Sequence, residues 1–164
     1  MLILAKKCRE LSFGRLMEIY VEGNLEQGQE LAPDETEARQ IALGEQAFYN
    51  YLEQVFFRTP GAVYAVWEVD GTYVSALRQD PYQDGLLLEA LETAPAERRK
   101  GYAKALIQAV LPQLGDVKVY SHVNKRNTAS RKTHEACGFV KCLDHAVYAD
   151  GSVLHDSDTY RYGV

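Results

Sequence analysis

The stretch from Leu86 to Leu111 constrains this chain more than any other part of it. An apolar run, Leu86 to Thr93, is closed by Ala94 and Pro95, and three consecutive cations follow, Arg98, Arg99 and Lys100, ahead of Gly101, Tyr102 and Ala103. From Ala103 onward apolar residues recur at Leu106, Ile107, Val110 and Leu111, a spacing that places them on one face of a helix. The order is therefore strand, turn, basic loop, helix. Gly101 has no side chain, so an anion can approach the backbone there. The first amides of the helix lack intrahelical acceptors and point the same way. A diphosphate fits such a loop.

Neither common nucleotide-binding motif is present. A P-loop needs a glycine-rich run ending in Lys-Ser or Lys-Thr, and a dinucleotide fold needs three spaced glycines. Further along, Asn127 to Phe139 reads as a second capped helix. Asn127 is a good N-cap, Ala129 to Cys137 can be helical, Gly138 suits the left-handed residue that ends a helix, and Phe139 starts the next strand.

Together the two segments resemble the paired signatures of the GNAT N-acetyltransferases. The first is Arg-x-x-Gly-x-Ala, here Arg98 to Ala103, after a proline turn at a strand end; the second is an Asn-opened helix closing with Gly138 and Phe139. Two signatures in the right order are much more specific than either alone. The resemblance implies an α/β fold, with a mixed, mainly antiparallel central sheet and helices on both faces. It implies acetyl-CoA as acyl donor and direct transfer to a primary amine, of a small molecule or a peptide, with no covalent enzyme intermediate. Carried over residue by residue, the cofactor-binding set is Leu91, Glu92 and Thr93 at the strand end, Arg98, Arg99, Lys100, Gly101, Tyr102, Ala103 and Lys104 in the loop, and Asn127 and Ser130 in the second segment. Backbone amides of Leu91 to Thr93 would face the thioester carbonyl. The rival reading is a non-catalytic acyl-CoA-binding or sensing module.

An ionised carboxylate on a covered central strand is costly without a partner or water. Glu89 and Glu92 interrupt this one, and similar enzymes often carry a water-linked base there. Glu89 is the first choice as base and Glu92 the second. A regular strand puts them on opposite faces, although a bulge would reset that, and simple pairing with an Arg or Tyr explains either equally well. The chain departs from its apparent family at His134, seven residues after Asn127, where a Tyr usually donates a proton to the departing sulfur. His134 is expected in that role or else as a polar residue on the inner helix face, with Tyr120, Tyr148 or a water as substitutes.

Length permits one compact domain over residues 1–164, with 46% hydrophobic residues to build a core. The formal charge of -5 argues against general nucleic-acid binding, while leaving room for a local basic pocket to which Lys125, Arg126, Arg131 and Lys132 can add. Three cysteines, Cys8, Cys137 and Cys142, without metal-site spacing, fit a reduced cytoplasmic protein. No metal site and no membrane-spanning run are expected. Acidic residues in the linker after the first helix (Glu22, Glu26, Glu30, Asp34) and near the last strands (Asp150, Asp156, Asp158) would favour a cationic acceptor such as a polyamine, aminoglycoside or basic peptide. Solvated surface charge is the plainer explanation.

The remaining pattern predicts a strand at the amino terminus and a helix from Ser12 stopped by Gly23 and Asn24. A polar linker follows, then a long helix from Asp34 or Thr36 to beyond Phe56. Strands are expected over Ala62–Val69 and Thr72–Arg78, joined by Asp70 and Gly71, with a loop at Asp80 and Pro81 before the Leu86 strand. Further strands are expected over Val117–Val123 and within Lys141–Tyr148 and Val153–Tyr162. Apolar, Tyr-rich edge strands leave room for a homodimer.

Overall fold

A computed structural model describes residues 1–163. Strands β1 (Leu2–Ala5), β2 (Val63–Val69), β3 (Thr72–Tyr82), β4 (Gly85–Thr93), β5 (Lys118–Asn124), β9 (Ser157–Tyr162) and β6 (Val140–Leu143) lie side by side in that order in one sheet. A ribbon of β7 (Ala146–Val147) and β8 (Val153–Leu154) stands apart. Every pairing in the sheet is antiparallel except β4 with β5. A parallel pair needs a crossover, and helix α4 (Tyr102–Val110) supplies it. Helices α1 (Phe13–Ile19), α2 (Val21–Leu31) and α3 (Glu37–Gln54) cover one face around Leu16, Leu52, Phe56 and Tyr64. Helix α4 covers the other around Leu77, Leu88, Leu106, Ile107 and Phe139, with α5 (Thr128–Ala136) beside it. The expected α/β architecture, a mixed sheet with helices on both faces, is the one found.

Ser12 precedes α1 without a side-chain cap bond, but the caps expected at Thr36 and Asn127 form. Thr36 Oγ1 accepts from the Arg39 amide at 3.3 Å, and Asn127 Oδ1 from the Ser130 amide at 3.0 Å. Gly138 is left-handed at φ 91°; its amide returns to the Glu135 carbonyl and that of Phe139 to the His134 carbonyl, both at 3.0 Å. This is the double hydrogen bond of a Schellman ending.

Three expectations fail. Gly23 and Asn24 do not stop a helix: α1 ends at Ile19, Tyr20 forms a joint, and α2 runs through both residues into what was read as linker. Packing overrides propensity here, because Gly28 and Gly44 let α2 and α3 touch through their backbones. A Cβ on Gly28 would lie 1.8 Å from the Gln40 carbonyl oxygen, and one on Gly44 1.9 Å from that of Asn24. Strand β3 also continues through Asp80 and Pro81, and the turn falls at Gln83 and Asp84. Proline is tolerated there because β2 pairs with β3 only as far as Gln79. The expected last two strands each break in two, leaving β7 and β8 to form their own ribbon.

Gly28→Ala or Gly44→Ala should therefore force the helices apart and destabilise the protein by about 1–3 kcal/mol. Gly23, with nothing within 4 Å of its would-be Cβ, is the control, and Gly23→Ala should stabilise α2 by about 0.5–1 kcal/mol. Urea unfolding of the three variants checks both signs.

Candidate active site

Strands β4 and β5 are bonded only from Gly85–Lys118 to Leu88–Ser121 and then part. At the point of parting β4 carries a bulge. Arg78 lies opposite Glu89 and Ala76 opposite Glu92, so Ala90 and Leu91 together oppose Leu77, and Ala90 is left-handed at φ 50°. The bulge corrects the regular-strand expectation. Paired residues share a face, so Glu89 and Glu92 both stand on the face of Ala76, Arg78 and Tyr64, the side covered by α1–α3. The Tyr20 hydroxyl, at the joint between α1 and α2, donates to the Ala90 carbonyl at 2.8 Å and pins the bulge.

Beyond the parting lies a cleft of ≈ 580 Å³, a size typical of ligand sites. It is lined by Leu91, Glu92, Thr93, Arg98, Arg99, Gly101, Tyr102, Ala103, Lys104, Asn127, Ala129, Ser130 and Thr133. Every residue expected to hold the cofactor is among them except Lys100, whose ammonium is held by Glu97 at 2.8 Å. Arg99 and Gly101 are both left-handed, at φ 65° and 81°, and no side chain caps α4. With no side-chain cap, the helix start is left open to an anion. The Arg98 guanidinium grips both Glu22 oxygens at 3.1 and 2.7 Å and reaches Glu92 at 3.3 Å.

His134 is not in the cleft. It is 2% exposed, between α5 and the sheet, against Phe139 and Tyr160. Its Nδ1 lies 2.8 Å from the Ser130 carbonyl, which only accepts, so Nδ1 carries the proton; Nε2, 2.9 Å from Ser121 Oγ, accepts that hydroxyl. Burial pushes its pKa down, so both nitrogens of a neutral ring are committed. Tyr120, named as a substitute donor, bonds Asp84 at 2.7 Å at the opposite end of β4. Four of the seven acidic residues considered for the acceptor have structural partners: Glu22 holds Arg98, Asp150 holds the Ser152 turn, Asp156 accepts from the Ser157 hydroxyl at 3.0 Å, and Asp158 meets Lys141 at 3.1 Å.

Sequence reading missed the polar cluster around Glu89. Arg78 approaches Glu89 at 3.7 Å and lies 4.8 Å from the centre of the Tyr51 ring. Asp80 is next along the same face of β3. Burial, then a hydrogen bond to Glu89 and that group's charge, push the Asp80 carboxyl up to about 7 against the pull of Arg78. The signal available was the i, i+2 spacing of Arg78 and Asp80, hidden once Asp80 was read as loop. His122 on β5 and Tyr148 stand near the same carboxylate. Among the described residues no group of His, Cys, Asp and Glu is arranged to hold a metal ion, and no helix is long and apolar enough to cross a membrane.

An acid whose folded pKa is raised contributes stability that is fully present below its unfolded pKa and lost as pH rises to the folded one. Asp80→Asn should therefore match the wild type below about pH 4 and become progressively the more stable protein as pH rises to about 7. Urea unfolding across this range checks it; a difference independent of pH would contradict the assignment.

The acetyltransferase (GNAT) family model matches residues 13–139. No curated protein matches the chain by sequence. Among solved structures, a histone acetyltransferase-related protein of Corynebacterium glutamicum is similar with TM-score 0.69 and 15% identity, over 99% of this chain and 95% of the other. An N-acetyltransferase of Staphylococcus aureus is similar with TM-score 0.66 and 13% identity, over 97% and 98%. The PaiA N-acetyltransferase of Thermoplasma acidophilum, solved with coenzyme A, is similar with TM-score 0.62 and 12% identity, over 100% and 99%. With the family's pattern spanning most of its length, the chain belongs to the acetyltransferase (GNAT) family.

Proposed function

We propose that the cleft binds acetyl-CoA and that the protein transfers the acetyl group to a primary amine. One observation carries the reading: the parted strands, the bulge and the open start of α4 converge on a single cleft. The diphosphate would rest on the amides around Arg99 to Ala103, and the thioester would lie against β4 where the bulge interrupts the ladder. The Leu91 amide is then the donor toward the thioester oxygen.

The amine nitrogen attacks the carbonyl carbon, the C–N bond forms, and the C=O pair moves onto oxygen. Collapse reforms the carbonyl and breaks the C–S bond, and CoA leaves as thiolate to take a proton. The amine must lose a proton for this to happen, and Glu89 is the carboxylate that draws it off, directly or through a neighbour; Glu92, tied to Arg98, is the second. His134 supports rather than donates: it fixes Ser130, whose hydroxyl lines the cleft. Ser130 or a water then relays to the sulfur the second proton, which the nitrogen sheds as the amide forms.

An acetyl-transfer screen across amines, amino acids, antibiotics and peptides tests the activity. Amine-dependent CoA release is expected; tight CoA binding without it would mark a binding or sensing module. Gly101→Glu tests the cradle. A Cβ there meets nothing within 4 Å, so the cost to the fold should be limited to about 1–2 kcal/mol for a side chain on the left-handed backbone at φ 81°, while the carboxylate beside the diphosphate should weaken acetyl-CoA binding by about 100-fold or more. Equal affinity of a folded variant and the wild type in calorimetry would overturn the cradle.

A further inference from the structure

His122 lies on the sheet face that carries Glu89. Leu87 faces Tyr120 across the β4–β5 ladder, and one step past its last rung, Leu88 with Ser121, Glu89 and His122 follow on that same face. The ring is half-buried, with Tyr82 edge-on at 5.5 Å between ring centres and Tyr148 at 5.1 Å.

Its tautomer is fixed by its neighbours. The Tyr82 hydroxyl donates its only proton to the Val147 carbonyl, and Gln83 Nε2 donates into the Tyr82 oxygen at 3.1 Å. What remains on that oxygen is an acceptor, 3.4 Å from His122 Nε2. The proton of the neutral ring therefore sits on Nε2, and Nδ1 keeps its lone pair. Burial lowers the imidazole's pKa, with Glu89 pulling the other way, so the ring is neutral at physiological pH. The groups facing it are Glu89 from β4, Tyr82 from β3 and Tyr148 after β7. Arg78 and Asp80 stand behind Glu89.

We propose that His122 is the base that takes the acceptor's proton, through Nδ1, with Glu89 stabilising the imidazolium that results. This rests on the transferase reading above. The step is balanced: the ammonium N–H bond breaks, its electron pair becomes the lone pair that attacks the thioester, and a new N–H bond forms at Nδ1. The proton then passes to solvent or to the departing thiolate. Glu89 is thereby a positioning residue, and its charge sets how readily His122 holds the proton.

Two measurements test this. Nitrogen-15 spectra of the labelled protein should show the Nε2–H tautomer at neutral pH and a titration of His122 below about 6.5 that moves lower in Glu89→Gln. An Nδ1–H tautomer would overturn the proposal whatever the acceptor. With the best amine from the screen, kcat/KM should show an acid limb set by His122. His122→Gln should remove the limb and lower kcat/KM by about 100-fold near neutral pH, recovering as free amine accumulates, with acetyl-CoA affinity unchanged. A wild-type profile in His122→Gln, with the loss appearing only in Glu89→Gln, would make Glu89 the base itself. Absence of amine-dependent CoA release in the wild type would instead overturn the transferase reading and this proposal together.

Discussion

The parting of β4 from β5 is the constraint on which the site depends. Two neighbouring strands that separate inside a protein strip backbone groups of their partners, and each group left unsatisfied costs about 1–3 kcal/mol. The chain meets that cost with side chains around the bulge. Tyr20 donates to the Ala90 carbonyl, Ser75 Oγ to the Glu92 carbonyl at 2.8 Å, and the Thr93 amide turns to Glu92 Oε1 at 3.3 Å. These bonds let the gap persist as a cleft instead of closing into a continuous ladder. They also draw α1 and α2 into the site, since Tyr20 is their joint.

Charge follows the same division. The chain is acidic as a whole, yet the loop before α4 concentrates Arg98, Arg99 and Lys100 at an open helix start. Arg98 is held there by Glu22 and Glu92 with all three side chains partly exposed, and exposed ion pairs contribute little. On the proposed reading a diphosphate would displace Glu22 at small cost. On the far side of the bulge, Asp80, Glu89, Arg78 and His122 form a partly buried cluster, in which burial raises the Asp80 carboxyl and lowers the His122 imidazole.

What the sequence made legible was local. The basic loop with Gly101, the Asn127 cap and the Gly138 ending depend on neighbouring residues, so they survive folding as read. What it hid was relational. A bulge is a mismatch between two strands, and nothing within Leu86 to Thr93 reveals that Glu89 and Glu92 face the same way. Gly23 and Asn24 look like a break until α2 is seen to be held against α3 through Gly28 and Gly44. His134 looked catalytic by position, but position along a helix does not say which layer closes over it, and Ser121 and Ser130 occupy both its nitrogens. His122 drew no notice because its role arises from Tyr82, Val147 and Glu89, which lie far apart in the chain.

The central claim is that the gap between β4 and β5 and the start of α4 form one acetyl-CoA site. Amide proton–nitrogen spectra recorded while acetyl-CoA is added test it most directly. The amides of Leu91, Thr93, Gly101, Tyr102 and Ala103 should shift most and saturate together. Saturable binding that leaves those five amides unmoved would contradict it.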